Sequence, residues 1–344
     1  MKNLLSNLIS IPAISREEAQ KADALERYMR EQGLAPQREA NNVWCVGKTM
    51  FANRPTVLLN AHLDTVKPVN GWQRPPHTPT LEEDRLYGLG TNDCGGGLVA
   101  LLFAFIHLNS IDEGQLPYNL VYLASAEEEV SGRNGVERAL PLLPPIDVAI
   151  VGEPTGMHPA IAEKGLMVLD CTAHGVSGHA ARNEGVNAIY AALSDIEWLR
   201  THQFAKVSPL LGPVKMSVTQ VNAGTQHNVV PDTCTFVVDV RTNECYSNQA
   251  VLDEITAHLA ADVKARSTRL NSSSIPESHP LIQKCVALGG KPYGSPTLSD
   301  QALMPFPSFK LGPGESARSH TADEFISLSE LEQALEFYIK LLGA

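Results

Sequence analysis

Three short apolar segments, each followed by a histidine or an acidic cluster, constrain the fold of this chain most strongly. Residues 56–59 lead into Ala-His-Leu-Asp, residues 120–124 into Ser-Ala-Glu-Glu-Glu, and residues 148–151 into Gly-Glu-Pro-Thr. Continuous apolar strands separated by helical segments are typical of a mostly parallel sheet that helices cover on both faces. Because ligands bind outside the carboxyl ends of the strands in such sheets, the three clusters predict a functional site there.

Other patterns in the first half indicate helices. Ser15 followed by Glu18 forms a capping-box pattern before a helix that runs towards Gly33. One face of that helix would carry Ala22, Leu25 and Met29. A further short strand is predicted at 43–46, and the apolar segment 98–108 predicts a buried helix.

The middle of the chain predicts a second, smaller α+β domain. Its strands would span 166–173, 215–221 and 233–240, and its helices 187–201 and 248–262. The polar segment 267–274 would return the chain to the first domain, where an amphipathic helix at 328–342 closes it. The expected organisation is therefore a catalytic domain of residues 1–164 and 274–344, with residues 165–273 inserted.

Composition narrows the possible partners. The 344 residues include 27 Lys and Arg against 38 Asp and Glu, giving a net charge of -11, so we expect no nucleic-acid partner. The six cysteines form no CxxC pair, as expected of reduced thiols in a cytosolic protein. The N-terminal segment lacks the features of a signal peptide, and residues 98–108 are too short to cross a bilayer. We therefore expect a soluble, cytoplasmic protein with no membrane partner.

Two histidines could bind a metal ion. His62 ends a predicted strand, and Asp64 two residues later could fix its tautomer, although both residues could simply cap the strand. His320 stands among small and acidic residues and could close a coordination sphere, or it could cap a helix. Neither histidine alone decides between these interpretations.

Carboxylates dominate the remaining clusters. Asp93 lies in the glycine-rich segment GTNDCGGG, and its two oxygens could bridge two cations. A glycine-rich turn could also cradle a phosphate, but an aspartate would repel that anion. Glu127, Glu128 and Glu129 repel one another unless cations, a shared proton or solvent compensate. Glu153 follows a strand and could be a ligand or part of an ordinary turn.

The order and separation of these clusters resemble one family, the M20 dinuclear zinc peptidases. Within that family they resemble the branch of acetylornithine deacetylases and succinyl-diaminopimelate desuccinylases. The matching motifs are AHLDTV (61–66), GLGTNDCGGG (88–97), EEEVSGRNG (127–135), VGEPT (151–155), VSGHAA (176–181), HNVVPD (227–232), DVR (239–241) and SHTADE (319–324). The resemblance covers nearly the whole chain. It implies an α/β fold with a zinc-peptidase-like, mostly parallel sheet flanked by helices, and an inserted ferredoxin-like α+β domain for dimerisation or as a lid.

The resemblance also implies a ligand set for two zinc ions. His62 and Glu153 would hold one ion. Glu129 and His320 would hold the other, and Asp93 would bridge the two. Cobalt or manganese could replace zinc, because histidine and carboxylate ligands tolerate several divalent ions.

Three further positions near these ligands carry expectations from the resemblance. Asp64 would orient His62, and Glu128 would be the catalytic base, although a register with Glu127 as base and Glu128 as ligand stays open. Gly95 departs from the family, since many members carry a lysine two residues after the bridging aspartate. We expect this departure to change contacts around the ligands without emptying the metal site.

The resemblance implies three functional residues in the inserted domain. His179 would reach the metal site of a partner subunit and stabilise the oxyanion, which makes the expected active unit a homodimer; the alternative is an ordinary loop histidine. Asn228 and Arg241 would contact the substrate. Arg241 suits a carboxylate, but Asp239 shares its strand face, so a local salt bridge is the competing explanation.

The expected activity is hydrolysis of the amide bond of an N-acyl amino acid. N-acetylornithine is the first candidate, with N-acetylcitrulline and N-succinyl analogues close behind, which would place the enzyme in arginine biosynthesis. The alternatives are a dipeptidase or aminopeptidase of the same family and an inactive metal-binding scaffold. A phosphate-binding transferase is disfavoured by the acidic loop around Asp93.

Overall fold

The fold was obtained as a computed structural model, which describes residues 1–111 and 116–343. The chain divides into a larger unit of Met1–Ile161, Ser274–Tyr293 and Ser299–Ala344, and a smaller unit of Ala162–Ser273 and Gly294–Leu298. The amide of Ile275 donates a hydrogen bond to the carbonyl of Ile161 at 2.9 Å. The larger unit therefore holds side by side the points where its chain leaves and first returns.

The helices and strands of the described residues are as follows. The helices are α1 (Lys2–Ile9), α2 (Ala19–Glu31), α3 (Gly96–Ser110), α4 (Val136–Ala139), α5 (Ala188–Thr201), α6 (Asn248–His258), α7 (Pro280–Ala287) and α8 (Leu328–Leu342). The strands are β1 (Gln37–Glu39), β2 (Asn42–Val46), β3 (Thr56–His62), β4 (Thr80–Glu82), β5 (Arg85–Tyr87), β6 (Asn119–Ser125), β7 (Val148–Val151), β8 (Ala160–Glu163), β9 (Gly165–His174), β10 (Gly178–His179), β11 (Lys215–Ala223), β12 (Val229–Val230), β13 (Thr233–Thr242), β14 (Asp262–Ala265), β15 (Ser273–Ser274), β16 (Tyr293–Ser295), β17 (Ser308–Lys310) and β18 (Phe325–Ser327).

The main sheet has the strand order β1-β2-β6-β3-β7-β17-β8-β15, and β16 pairs with β8. The pairs β6/β3, β3/β7 and β7/β17 are parallel, while β2 and β8 join this centre in antiparallel fashion. β3, β6 and β7 are buried along their whole length, which explains their continuous apolar sequences. The predicted mostly parallel sheet is confirmed.

Helices cover both faces of this sheet. Leu59 of β3 packs in an apolar cluster that includes α3 and α8 residues. Its neighbour Leu58 points to the other face, into a cluster that includes Val136 and Ala139 of α4. Successive side chains of a strand point to opposite faces, so a strand covered on both sides must be apolar throughout.

The capping box predicted at Ser15 and Glu18 is wrong. Glu18 occupies the position before α2, but no side chain caps the helix there. The Ser15 hydroxyl instead donates to Oδ2 of Asp64 at 2.7 Å, and Oε1 of Glu18 accepts the amide of Glu127 at 3.1 Å. Both side chains therefore form hydrogen bonds with distant residues instead of capping the helix. The predicted apolar face of α2 is buried as expected.

α3 begins at a glycine-rich turn, and most of its residues are buried. Thr91–Ser110 is long and apolar enough to cross a membrane by length and composition, but 72% of its most apolar window is buried. Such burial is that of a core helix in a soluble protein. Gly97 in its first turn lets the backbone of Gly152 approach, since a Cβ at Gly97 would lie 1.8 Å from the Gly152 carbonyl oxygen.

The smaller unit has the order β9-α5-β11-β13-α6-β14 along the chain, and its antiparallel sheet has the spatial order β11-β13-β9-β14. This is the ferredoxin-like arrangement expected from the resemblance. α6 ends at His258, earlier than the predicted residue 262. The carboxylate of Asp195 accepts the amides of Ala260 and Ala261, which turns the chain away from the helix and into β14.

Candidate metal centre

The candidate ligands lie at the carboxyl ends of neighbouring strands of the larger unit. His62 is the last residue of β3, Glu129 lies in a 3-10 turn after β6, and Glu153 follows β7 by two residues. Asp93 lies in the turn before α3, and His320 follows a 3-10 turn at Ser316–Arg318. Because β6, β3 and β7 are adjacent, residues far apart in sequence meet at one edge of the sheet.

Asp93 lies between the two histidines. Its Oδ1 is 3.1 Å from Nε2 of His62, and its Oδ2 is 3.6 Å from Nε2 of His320. His320 also contacts Oε2 of Glu129 at 3.0 Å, while His62 has Oε1 of Glu153 at 3.7 Å. The structure thus brings the five candidate ligands together as two histidine–glutamate pairs with one aspartate between them.

Hydrogen bonds between opposite charges set the pKa values of the histidines. Burial opposes a charge on His62, but hydrogen bonds with Asp64 and Asp93 raise the pKa of its imidazole well above the usual value. Burial likewise opposes a charge on Asp93, yet the hydrogen bond with His62 lowers the pKa of this carboxyl. The hydrogen bond with Glu129 raises the pKa of His320 to about 9.

Glu153 and Glu128 have raised pKa values, because the positive charges near them do not offset the effect of burial. Burial raises the pKa of Glu153 to about 8, and the nearby charge of Asp93 adds to the effect. Burial also raises the pKa of Glu128 well above its usual value, although His62 opposes the rise. Carboxyls clustered in this way favour protonation unless cations compensate their charge.

The side chains of the cluster fit divalent cations. Oε1 of Glu153 is buried and makes no hydrogen bond. Ligand atoms of His62, Asp93 and Glu129 lie within 4.8 Å of one another, as do those of His62, Cys94 and Glu153. Imidazole nitrogens with carboxylate oxygens are a donor set for several divalent metals, zinc, cobalt and manganese among them.

Asp64 contacts both His62 and the turn after β6. Nδ1 of His62 is 3.0 Å from the carbonyl oxygen of Asp64 and 3.6 Å from its Oδ1. The Asp64 carboxylate also accepts the amides of Glu128 at 3.0 Å and Glu129 at 3.2 Å. It therefore ties the end of β3 to the turn after β6.

The three adjacent glutamates point in different directions. Oε2 of Glu128 is 3.9 Å from Nε2 of His62, and its side chain is 10% exposed. Glu129 contacts His320, whereas Oε1 of Glu127 accepts a hydrogen bond from the side chain of Asn134 at 2.9 Å. Glu127 therefore turns to a neighbouring loop, while Glu128 and Glu129 each face a histidine.

Two residues next to Asp93 differ from expectation or were not predicted. Cys94 donates its thiol proton to the Gly152 carbonyl at 2.9 Å, and burial raises the pKa of the thiol well above its usual value. Gly95 has no room for a larger side chain such as lysine, because a Cβ there would lie 2.4 Å from the Gly90 carbonyl oxygen and 2.8 Å from Leu5.

Sequence reasoning also missed the role of Glu324. This residue is 2% exposed, and its carboxylate accepts the backbone amides of Gly90, Asn92 and Asp93 at 2.8–3.1 Å. It belongs to the quoted SHTADE motif, four residues after His320, but nothing local in that motif reveals contacts with a loop more than 230 residues earlier.

The candidate residues of the inserted domain lie in the smaller unit. His179 is exposed in β10, and its Nδ1 accepts the amide of Ala181 at 3.1 Å. Asn228 is exposed, just before β12. Arg241 forms the local salt bridge considered from the sequence, with Nε 2.8 Å from Oδ1 of Asp239 and Nη2 3.0 Å from Oδ2. Of the three candidates, His179 and Asn228 are thus exposed, and the guanidinium of Arg241 is already paired with a carboxylate.

Histidines and carboxylates grouped at the ends of parallel strands define an α/β enzyme with a candidate centre for divalent metals. The chain matches the family described as "Peptidase family M20/M25/M40" over residues 58–344, and it belongs to that family.

The chain is similar to two curated relatives and to one solved structure. The chain is 31% identical to an acetylornithine deacetylase of Proteus mirabilis, with 98% of this chain and 95% of the relative covered. It is 29% identical to a putative succinyl-diaminopimelate desuccinylase of Mycobacterium tuberculosis, with 99% and 97% covered. The YXEP protein of Bacillus subtilis, a dinuclear metal binding peptidase of the M20 family, superposes with a TM-score of 0.73 at 18% identity over 99% of this chain and 96% of that chain. The chain is thus a hydrolase that acts on amide bonds.

Proposed function

We propose that this enzyme removes an acetyl or succinyl group from the amine of an N-acyl amino acid. N-acetylornithine and N-acetylcitrulline are the first candidates, and arginine biosynthesis in the cytoplasm is the proposed setting. The observation that carries the proposal is Asp93 between two histidine–glutamate pairs, with one oxygen towards each histidine. The relatives named for deacetylation and desuccinylation, at about 30% identity, support the choice of acyl group.

Two zinc ions are the proposed cofactors, with cobalt or manganese as substitutes. His62 and Glu153 would hold one ion, Glu129 and His320 the other, and Asp93 would contact both. Bound there, the cations would activate a water molecule and polarise the carbonyl of the scissile amide. The orphaned oxygen of Glu153 supports this assignment, since a buried carboxylate oxygen without a donor is costly.

Glu128 is the proposed general base. Its carboxylate lies 3.9 Å from the imidazole of His62, and its backbone amide donates a hydrogen bond to the carboxylate of Asp64. Burial raises the pKa of Glu128, and a basic carboxylate accepts a proton more readily. Glu128 would take a proton from the attacking water and pass it to the nitrogen of the leaving amine. The contact of Glu127 with Asn134 supports Glu128 over Glu127 in this role.

The smaller unit is proposed to supply the remaining functional residues and the contacts of a homodimer. His179 would stabilise the oxyanion in the partner subunit, and Asn228 and Arg241 would bind the substrate. Support for a dimer comes from apolar exposure on α5, where Tyr190 is 70% and Leu193 54% exposed. The strand β11 lies at the edge of its sheet, and an edge with unpaired backbone groups can accept a second copy.

Hydrolysis assays with zinc-loaded protein test this function. N-acetylornithine, N-acetylcitrulline and N-succinylornithine are the substrates, and a chelated sample and Glu128→Gln are the controls. Turnover of one substrate that disappears in both controls supports the proposed deacylase. Two bound metals with no turnover of any of the three would contradict it.

A dipeptidase or aminopeptidase is the second candidate. The fold shared with the YXEP protein of Bacillus subtilis, a dinuclear metal binding peptidase, favours it, and the metal ligands would be the same. A panel of dipeptides assayed beside the N-acyl amino acids separates the two. Efficient cleavage of dipeptides with poor cleavage of every N-acyl diamino acid would support the peptidase, and an inactive scaffold would cleave neither set.

A further inference from the structure

Lys21 is buried in the larger unit, on the inward face of α2. It is 4% exposed, and its Nζ donates a hydrogen bond to the carbonyl oxygen of Leu63 at 3.0 Å. Leu63 lies between His62 and Asp64, so this ammonium contacts the end of β3 that carries a candidate ligand. A buried lysine is costly unless its charge is compensated.

The charges of three buried carboxylates act on this ammonium; Glu18 lies three residues before Lys21, and Asp64 follows Leu63 directly. Asp64, Glu324 and Glu18 are the groups whose charges act on it, and they are 1%, 2% and 0% exposed. Burial lowers the pKa of Lys21 to about 8, and the three negative charges oppose this effect. The ammonium therefore lies in the field of three carboxylates that come from different parts of the chain.

Two of these carboxylates hold the turn after β6. Asp64 accepts the amides of Glu128 and Glu129 at 3.0 and 3.2 Å. Glu18 accepts the amide of Glu127 at 3.1 Å. Three consecutive amides of the segment with the proposed base and one proposed ligand are thus fixed by two carboxylates whose charges act on Lys21.

The third carboxylate holds the turn before α3. Glu324 accepts the amides of Asn92 and Asp93 through Oε1, at 2.8 and 2.9 Å, and that of Gly90 through Oε2 at 3.1 Å. These bonds orient the backbone at Asp93, which lies between the two histidines. The carboxylates that hold both loops of the centre therefore act on the same ammonium through their charges.

We propose that Lys21 is a positioning residue for the metal centre, whose buried positive charge compensates the three carboxylates that hold the ligand-bearing loops in place. This inference rests on the proposed function, since it concerns the same centre. Lys21 would affect the candidate ligands and the substrate only by way of those loops. The competing explanation is that Lys21 merely satisfies the Leu63 carbonyl.

Metal affinity distinguishes these explanations. Lys21→Gln keeps a hydrogen-bond donor but loses the charge, and Lys21→Met loses both. The matched control is Lys340→Met, since Lys340 is a lysine with a 63% exposed side chain on α8. The zinc dissociation constants are measured by competition with a chelator, and kcat and KM are measured on samples matched for folded protein by circular dichroism.

We expect both Lys21 variants to bind zinc more weakly, on the order of 10–100-fold, as for other residues that support metal ligands from behind. The value of kcat should fall with KM unchanged, and the control should match the wild-type protein. Wild-type metal affinity and kcat in both variants would overturn the proposal. So would normal affinity in Lys21→Gln with a loss confined to Lys21→Met, because the hydrogen bond rather than the charge would then matter.

Two further variants test the proposal if Lys21→Met and Lys21→Gln do not fold. Lys21→Arg, which keeps the charge, should fold and bind zinc, and Lys21→Met combined with Glu324→Gln should recover folding because one uncompensated charge is removed. Failure of both would overturn the proposal. Wild-type protein that binds no metal contradicts the proposed function itself, whereas a metal-binding wild type with unaffected variants contradicts only the role of Lys21.

Discussion

Metal-stripped protein should lose stability as the pH rises from about 5 to 9, because buried glutamates of the centre then have to give up protons. In the native state burial raises the pKa of Glu153 from 4.5 to about 8, and burial raises that of Glu324 to about 7. Both native values lie above those of the unfolded chain, so the native state holds these protons more tightly. The resulting stability is complete below pH 4.5 and is lost as the pH passes through the native values.

The size of the effect follows from the pKa of Glu153. A pKa difference of one corresponds to about 1.4 kcal/mol, so the rise from 4.5 to about 8 is worth on the order of 5 kcal/mol of unfolding free energy. The contribution of Glu324 cannot simply be added, because charges in one cluster titrate together. A loss of this size is a large part of the roughly 5–15 kcal/mol that holds a typical protein folded.

Urea unfolding of chelated protein at pH 5.5, 7 and 8.5 measures this loss. Glu153→Gln should flatten the pH profile, and Glu336→Gln, which alters a carboxylate with a 72% exposed side chain, should leave it unchanged. Added zinc should reverse the trend, because ligands bind the metal in their deprotonated form. Stability of the chelated wild type that stays constant or rises from pH 5.5 to 8.5 would refute the reasoning.

Three further predictions concern packing, substrate binding and assembly. Gly97→Ala would place a Cβ 1.8 Å from the Gly152 carbonyl oxygen, so denaturant unfolding should show a loss of about 1–3 kcal/mol; unchanged stability would contradict the close approach. Arg241→Met should raise KM for N-acyl amino acids with little change in kcat, whereas an unchanged KM would leave the salt bridge with Asp239 as its only role. Tyr190→Asp, at a 70% exposed position, should convert a dimer to monomers in sedimentation experiments without lowering the thermal midpoint, and a persistent dimer would exclude this face as the interface.

Local sequence signals were sufficient for the sheet and for the meeting of three of the five candidate ligands, whereas Asp93 and His320 were assigned to the same centre through the family resemblance. β3, β6 and β7 are continuous apolar segments because both faces of each strand are covered, so burial left a direct mark on the sequence. The His and acidic residues that follow these strands had to meet once the strands were parallel and adjacent. The meeting of His62, Glu129 and Glu153 therefore follows from strand prediction and one topological rule.

Contacts between distant segments left no such mark. The pattern at Ser15 and Glu18 was that of a helix cap, yet both side chains serve partners 49 and 109 residues away. Glu324 and Lys21 carry charges of the kind found on any surface helix or loop, and only the folded chain reveals that they are buried. Such residues support the site from behind, and their partners are fixed by tertiary structure rather than by spacing.

The adjacent positions of Ile161 and Ile275 have a consequence for how such a gene can change. Apart from the short second crossing at Gly294–Leu298, the chain leaves and returns at adjacent residues, so the long segment in between can change without displacing the strands on either side. Mutation, recombination or replacement of the segment Ala162–Ser273 can then proceed while β3, β6 and β7 keep their side chains in register. The inserted segment can thus evolve at a different rate from the rest of the enzyme.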